Sequence, residues 1–577
     1  MMTYQDNFFV IAKDRNTIQS EAVKTLPIHN NLKQLLTEYQ VKPPTVHKEK
    51  LNSLITKHKN LLDVLHFFRK AKIELTRIEH SSIFRCKPDP NFKILPERTY
   101  VYIFDDKLFD KDSVIHIRDQ IKKNVTQACA VLVVTKISPS ISGWKQIRDF
   151  RVEQTPLNMI PFEMSAMKQS IAESKEFNTL IREITRRLKQ EDYDPYKDTK
   201  PVSEKFQFFG HASLILQLVQ EMHRGQPVAI FGFRKFGKSS LLHKLQKELS
   251  FPTALISLQT DTDSNYIANC YQRIVNDWAK WSSVKHNIAW TPFVIDRNDP
   301  KKSFIDATKR LLSLLEYNQV DARLGILLDE VESIVPLSTG GGPDLKQYLD
   351  IVQTLRGLID EGENLSLAVA SLNASINRIT AWENQQNPTF SFFQEFFVSP
   401  LEKEDCFNMI ENIGAQFMLF YDNDCLQKIF EWSGGHPFLA RRLASQLYQA
   451  HVGKMAVINE KDLNEGIIKK FFSDELNNEY LKGMWDDIQR NELWFPYNPE
   501  YNRQLLTKLA NSVEPIHEDR LIKEDDASHE RRKAMINLSS YHIIRKKEPQ
   551  SFEIGFQLFK QWILRNVIGK DDNSRKH

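Results

Sequence analysis

The chain has 577 residues, 41% of them hydrophobic and 26% charged, so it is too long for a single core and too apolar for a disordered polymer. Its formal charge of +4 is close to neutral for that length and excludes the strong basic excess of a protein held mainly on nucleic acid. Five scattered cysteines (Cys86, Cys129, Cys270, Cys406 and Cys425), never in a C-x-x-C pair, argue against a disulfide framework or a zinc site and for a reducing compartment.

The N-terminal stretch MMTYQDNFFVIAKDR carries charges where a signal peptide needs an apolar run, and no stretch approaches the roughly twenty apolar residues of a membrane span. The expectation is a soluble, cytoplasmic protein with no membrane partner. Residues 48–80 predict a helix, with Leu51, Leu54, Ile55, Leu61, Leu62, Leu65 and Phe68 near three- and four-residue spacing and lysines opposite. Three apolar runs follow, TYVYIFD at 99, ACAVLVVT at 128 and LNMIPFE at 157, each leading into a charged helix-like segment. That alternation predicts a small parallel α/β sheet.

The polar segment EDYDPYKDTKPVSEK, with two prolines and no apolar period, marks a domain boundary. Five more strand-like runs lie beyond it, PVAIFGF at 227, ALISLQT at 254, RLGILLDE at 323, LSLAVASLN at 365 and EFFVSPL at 395. They alternate with helical segments in the rhythm of a three-layer α/β core. From about residue 402 the pattern turns helical. The resulting division is an N-terminal helical segment at 1–95, a small α/β domain at 96–190, a linker at 191–204, the core at 205–401, a helical lid at 402–455 and a C-terminal region at 456–577.

Gly232, Gly237, Lys238 and Ser239 form G-x-x-x-x-G-K-S between an apolar strand and a helix-like SSLLHKLQKEL, the setting of a P-loop. Glycines let backbone N–H groups turn inward around phosphates, and the helix N-terminus adds its positive dipole end. The candidate cradle is Gly232, Phe233, Arg234, Lys235, Phe236, Gly237, Lys238, Ser239 and Ser240. Lys238 would reach the β- and γ-phosphates and the Ser239 hydroxyl would ligate magnesium. About ninety residues on, LGILLDEVESI ends a strand in two acids. Asp329 is then placed to hold magnesium through water and Glu330 to act as a base on the attacking water. Glu332 is expected to be a surface acid.

Together with these motifs, residues 205–450 resemble the STAND and archaeal-type ATPase group of the AAA+ superfamily, relatives of the origin-recognition ATPases. FQFFGHASLILQLVQEMHRGQPVAIFG is similar to the group's entry segment; Gly210 matches, while His211 stands where arginine is usual and the following glutamate is missing. SLNAS places Asn373 at the sensor-1 position. WSGGHPFLARRLASQL is similar to the G-x-P element of the lid, with Gly435 and Pro437 near the adenine and Arg441 at a sensor-2 position. Arg442 is expected at the surface, and Arg378 as an arginine finger toward a neighbouring subunit. The resemblance implies ATP as ligand, Mg²⁺ as cofactor and slow, regulatory hydrolysis to ADP and phosphate, with Lys238, Glu330, Asn373 and Arg441 as the working residues. It also implies self-association or a protein partner.

At the C-terminus, RQLLTKLANSV and HERRKAMINLSS predict two helices, and YHIIRKKE and SFEIGF two strands across a PQ turn before QLFKQWILRN. This order fits a winged helix. Arg531, Arg532 and Lys533, with Arg545, Lys546 and Lys547, would form a phosphate-contacting face, although acidic KEDDASHE precedes the second helix. The N-terminal unit offers only faint signals. Trp144 lies in a Ser-x-Trp turn faintly similar to a TIR domain's, without the glutamate that NAD hydrolysis needs, and Asp105 and Asp106 end a strand as solvated acids. The expected architecture is thus a P-loop NTPase α/β core with helical lid, C-terminal winged helix and N-terminal α/β domain. Two functions stay open: an ATP-driven switch in signalling or prokaryotic defence, and an origin-recognition-like ATPase that grips DNA through its winged helix.

Overall fold

A computed structural model describes most residues between 61 and 569; the longest stretches left out there are 89–97, 177–193, 198–207 and 335–344. Asp105 and Asp106, Cys129 and most of the 191–204 linker lie outside the described residues. The chain divides into two compact units. The first runs to Pro195 and includes Glu411–Phe420 and Tyr448–Val457; the second holds Tyr196–Ile410, Tyr421–Leu447 and Ile458 onward.

In the first unit, the apolar runs become β3 (Thr99–Phe104), β4 (Ala130–Thr135) and β5 (Asn158–Glu163), paired in parallel. Every residue of β4 is buried, which is why it reads as a continuous apolar run. Helices α1 (Lys111–Asn124), α2 (Ile141–Arg151) and α3 (Met164–Glu173) follow the three strands. The sheet extends in the order β1-β2-β3-β4-β5 through an antiparallel hairpin of β1 (Ile73–Arg77) and β2 (Ile83–Pro88). That hairpin corrects the helix expected over 48–80. Helix ends at Lys70, and Ile73 and Leu75 are buried while Glu74 and Thr76 are exposed, the period-two pattern of a half-buried strand. Residues 48–60 lie outside the described residues.

The second unit is built on β6 (Val228–Phe231), β7 (Thr253–Ser257), β8 (Leu324–Asp329), β9 (Leu365–Ser371) and β10 (Gln394–Phe397). All pair in parallel, in the order β10-β6-β9-β8-β7. Helices α4 (Ala212–His223), α5 (Lys238–Glu248), α6 (Tyr266–His286), α7 (Pro300–Tyr317) and α8 (Leu345–Asp360) alternate with them. This order makes β6 an interior strand beside β9, so the loop after β6 and the ends of β8 and β9 open on one edge, where ligands of such sheets bind.

After helices α9 (Lys403–Ala415), α10 (Asn423–Ser433) and α11 (Pro437–His451) come α12 (Glu465–Ser473) and α13 (Glu475–Gln489). The chain ends in α14 (Glu500–Asn511), β11 (Ile516–His517), α15 (Glu518–Leu521), α16 (Ser528–Ser540), β12 (Ile544–Glu548), β13 (Ser551–Ile554) and α17 (Gln557–Ile563). Its three strands form a sheet in the order β11-β13-β12. The four-residue α15 and two-residue β11 were not anticipated, being too short to carry a period.

Gly434 ends α10 in the left-handed region at φ 60, where its N–H donates to Phe430 and closes the helix. A Cβ there would lie 2.1 Å from the Gly555 carbonyl oxygen and 2.8 Å from the Phe556 ring. The end of α10 and the C-terminal sheet therefore meet at a point that admits no side chain. Gly434→Ala should combine backbone strain with displacement of that sheet and destabilise the second unit by about 2 kcal/mol or more, read from the urea midpoint. Gly357→Ala, on a helix and with open space around it, should not.

Candidate functional site

β6 is buried throughout and delivers the chain into the loop from Gly232 to Gly237. Lys235 at φ 62 and Gly237 at φ 100 turn that loop in the left-handed region, and Gly237 then caps the N-terminus of α5. Lys238 Nζ is buried and donates to the Gly232 carbonyl at 2.6 Å and to the Phe233 carbonyl at 3.1 Å. Burial pulls its ammonium below the ordinary lysine range, opposed by Glu332 and then Asp329. A buried cation resting on carbonyl oxygens at a helix N-terminus has the donor set and charge that an anionic phosphate would satisfy.

Asp329 ends β8, 8% exposed, and accepts from the Glu330 N–H at 3.0 Å. The chain then turns through Glu330 at φ 56, which brings its Oε2 3.4 Å from the Ser257 hydroxyl at the end of the adjacent β7. Burial raises the Glu330 carboxyl above the ordinary glutamate range, helped by Asp329 and Glu332. Glu332 is not the surface acid expected from the sequence. It is half-buried, its Oε2 is enclosed with no hydrogen-bond donor among the described residues, and it is the strongest charge acting on Lys238. Ser239 and Ser240 lie half-buried in the first turn of α5, and Ser239 with Asp329 supplies the hydroxyl and carboxylate oxygens that suit magnesium. Among the described residues, no group of three or more His, Cys, Asp or Glu side chains is arranged to hold a metal by itself.

Asn373, just past β9, is 3% exposed and accepts from the Ser375 N–H at 2.8 Å, so its carbonyl braces its own turn. Gly210 and His211 adopt φ 75 and 58 ahead of α4. A Cβ on Gly210 would meet the Leu401 side chain at 2.7 Å, while the Leu401 N–H donates to Gly435 at 2.9 Å. The entry segment and the G-x-P element, with Pro437 opening α11, thus converge around Leu401. Arg441 is half-buried on α11. Arg442 is corrected by the structure: it is 2% exposed, forks onto both Asp474 oxygens at 2.8 Å and donates to Asn477. Arg378 forks onto Glu395 at 3.1 and 2.6 Å and donates to Asn537 at 3.1 Å, a set of partners within this chain where a finger toward a neighbour was expected.

The loop from Gly232 to Gly237 is also gripped from its outer side, which the sequence did not reveal. Arg234 and Lys235 are exposed, whereas the Phe233 and Phe236 rings are buried; the backbone of these two residues is what can line a cradle. Phe236 packs edge-on against His436 at 4.3 Å and against Phe556 at 5.9 Å. His436, the variable residue of G-x-P, is wholly buried. The Phe438 N–H donates to its Nδ1, so Nε2 carries the proton and donates to the Tyr480 hydroxyl at 2.6 Å, which donates to the Arg234 carbonyl at 2.9 Å. The Arg234 guanidinium in turn lies 3.5 Å from Asp487 on α13. The only local signal of this brace was the aromatic histidine inside the G-x-P element.

On the C-terminal sheet, Arg545 and Lys547 both reach Glu553, at 2.7 and 3.7 Å, and Lys533 pairs with Glu530 at 3.1 Å. Arg531 lies over the Tyr501 ring, while Arg532 and Lys546 are exposed. In the first unit, Trp144 is 1% exposed and belongs to the core. No helix among the described residues is long and apolar enough to cross a membrane.

No protein-family model matches the sequence, and no curated protein matches it. Among solved structures, a Walker-type ATPase of Pyrococcus abyssi is similar at 15% identity and a TM-score of 0.45, over 64% of this chain and 99% of that one. The Thermotoga maritima RuvB Holliday junction branch migration motor is similar at 12% identity and a TM-score of 0.31, over 61% of this chain and 95% of that one. Both likenesses are loose, and neither carries a substrate, partner or assembly over to this chain.

Burial pulls the His436 imidazole down to about 3 from 6.5, so it is neutral when folded and takes up a proton on unfolding. The unfolded state then binds more protons between those values, and stability is full above the upper one and falls as pH drops through the window. Burial depresses His211 and His542 in the same direction. His436→Gln should lower the proton uptake on unfolding by up to one proton between about pH 6 and pH 4, measured from the pH dependence of the urea transition.

Proposed function

We propose that this chain binds ATP at the loop from Gly232 to Ser240 and hydrolyses it slowly, as a STAND-like switch whose C-terminal region responds to the nucleotide. The observation that carries the reading is the double engagement of the phosphate loop. Lys238 rests on loop carbonyls where phosphate oxygens would take its protons, and the same loop is held through Phe236 and the Arg234 carbonyl by the lid and α13. A phosphate that draws Lys238 off Gly232 and Phe233 must alter the loop, and the loop cannot alter without loading those contacts. The nucleotide shifts the conformational equilibrium by the difference in its affinity for the two arrangements.

In this reading Lys238 and the loop N–H groups bind the β- and γ-phosphates. Ser239 and Asp329 would hold magnesium, which when bound neutralises phosphate charge. Glu330, its proton affinity already raised by burial and two neighbouring acids, accepts the proton of the water that attacks the γ-phosphorus. The bond to the leaving ADP oxygen breaks as the new P–O bond forms. Asn373 is assigned to sensing the γ-phosphate and Arg441 to contacting it from α11. Gly210, Gly435 and Pro437 gather at the adenine end, around Leu401. Slow turnover follows from the work of releasing Lys238 and of turning Glu330 away from Ser257. The helix–strand–helix–helix–strand–strand order at the C-terminus supports a winged helix. Its basic face is partly neutralised by Glu553 and Glu530, which favours a protein contact or self-association over DNA.

Purified protein should hydrolyse ATP at less than about 1 s⁻¹. Glu330→Gln should retain ATP binding, lose roughly a hundredfold or more in turnover and accumulate the ATP-bound form, seen as an altered mass or shape in solution. Lys238→Ala should lose ATP binding. Fast turnover with no change in mass or shape would contradict the switch, and stimulation by duplex DNA with strong salt dependence would support the DNA-gripping alternative.

A further inference from the structure

Tyr541 caps the C-terminus of α16, yet its side chain lies inside the core that carries the candidate nucleotide site. It is 3% exposed, and its hydroxyl donates to the Leu372 carbonyl at 2.8 Å and accepts from the Ala374 N–H at 3.1 Å. Those are the two peptide groups flanking Asn373. Its ring meets Phe233 of the phosphate loop edge-on at 5.2 Å and Phe397 of β10 at 5.2 Å. One turn earlier on α16, Asn537 accepts from Arg378, which is itself forked onto Glu395 of β10.

A single side chain from the end of the chain thus braces the phosphate loop and the turn that carries the γ-phosphate sensor. Burial raises the phenol well above its ordinary range, so it stays a neutral hydroxyl able to donate and accept at once. Leu372 and Ala374 are both buried, and losing that hydroxyl would leave a carbonyl and an N–H to find other partners. The Asn373 side chain is tied to its own turn through Ser375, so a shift of that turn moves the side chain with it.

We propose that Tyr541 is a positioning residue of the nucleotide site, its hydroxyl setting the turn on which Asn373 sits. This rests on the ATP-hydrolysing reading and adds to it that the site is incomplete until α16 is docked. The hydroxyl acts on the sensor turn and not on the phosphate cradle, so its removal bears on turnover more than on affinity.

The test uses the full chain. In Tyr541→Phe the ring stays packed on Phe233 and Phe397, and affinity for a non-hydrolysable ATP analogue should stay within about twofold while kcat falls roughly ten- to a hundredfold. Asn373→Ala should lower kcat comparably, and the double variant should fall little further than Asn373→Ala alone, because the two act through one turn. A kcat for Tyr541→Phe equal to wild type, with Glu330→Gln inactive, would overturn the role of Tyr541 and leave the ATPase reading standing. Multiplying effects in the double variant would also overturn it, as would a loss confined to affinity. Absence of turnover in the wild type would sink the ATPase reading and this inference together.

Discussion

The second unit is organised around a buried ammonium. Lys238 has been taken out of water at the end of a strand and the start of a helix, and its visible partners are two carbonyl oxygens of its own loop. Burying a charge in this way is unfavourable unless neighbours compensate it, and here three acids stand near without a direct ion pair being formed. The arrangement is one to which an anion can be added. Much else in this unit serves to keep that loop in shape.

The brace comes from side chains distant in sequence. Phe236 reaches His436 and Phe556, the Arg234 carbonyl reaches Tyr480, and Phe233 reaches Tyr541. Buried aromatic contacts are worth roughly 0.5–1.5 kcal/mol each beyond the area they bury, so several together can set a loop conformation without freezing it. The polar link from Phe438 N–H through His436 and Tyr480 to Arg234 has a fixed direction of donation, because an N–H that can only donate opens it and a carbonyl that can only accept closes it. A nucleotide-dependent shift in the loop would be felt along that link. Such coupling needs no wire between remote sites, since loop and C-terminal region share the same contacts.

The core was largely legible in the sequence because its signals are local. Five apolar runs became five strands, and G-x-x-x-x-G-K-S fell between a strand and a helix. Strand order could not be read, since pairing among parallel strands depends on crossovers and not on any one run. The brace was illegible for a similar reason. The contact of Tyr541 with Leu372 spans 169 residues, and that of Tyr480 with Arg234 spans 246. In the Arg441–Arg442 pair, helical periodicity cannot say which guanidinium turns inward; Asp474, thirty-two residues further on, decides it. Glu332 looked like a surface acid because a residue beyond a strand end has no period to place it. β1 was lost because its two-residue alternation begins three residues after the helix that ends at Lys70.

The central claim is that the phosphate loop and the C-terminal region respond to nucleotide as one body. The most direct test is hydrogen exchange of the full chain with and without Mg·ATP, following peptides that cover 230–240, 371–376 and 534–545. The account predicts that all three segments change protection together on adding ATP, and that Lys238→Ala abolishes the change in all three. Protection confined to 230–240, with 534–545 unmoved, would contradict it.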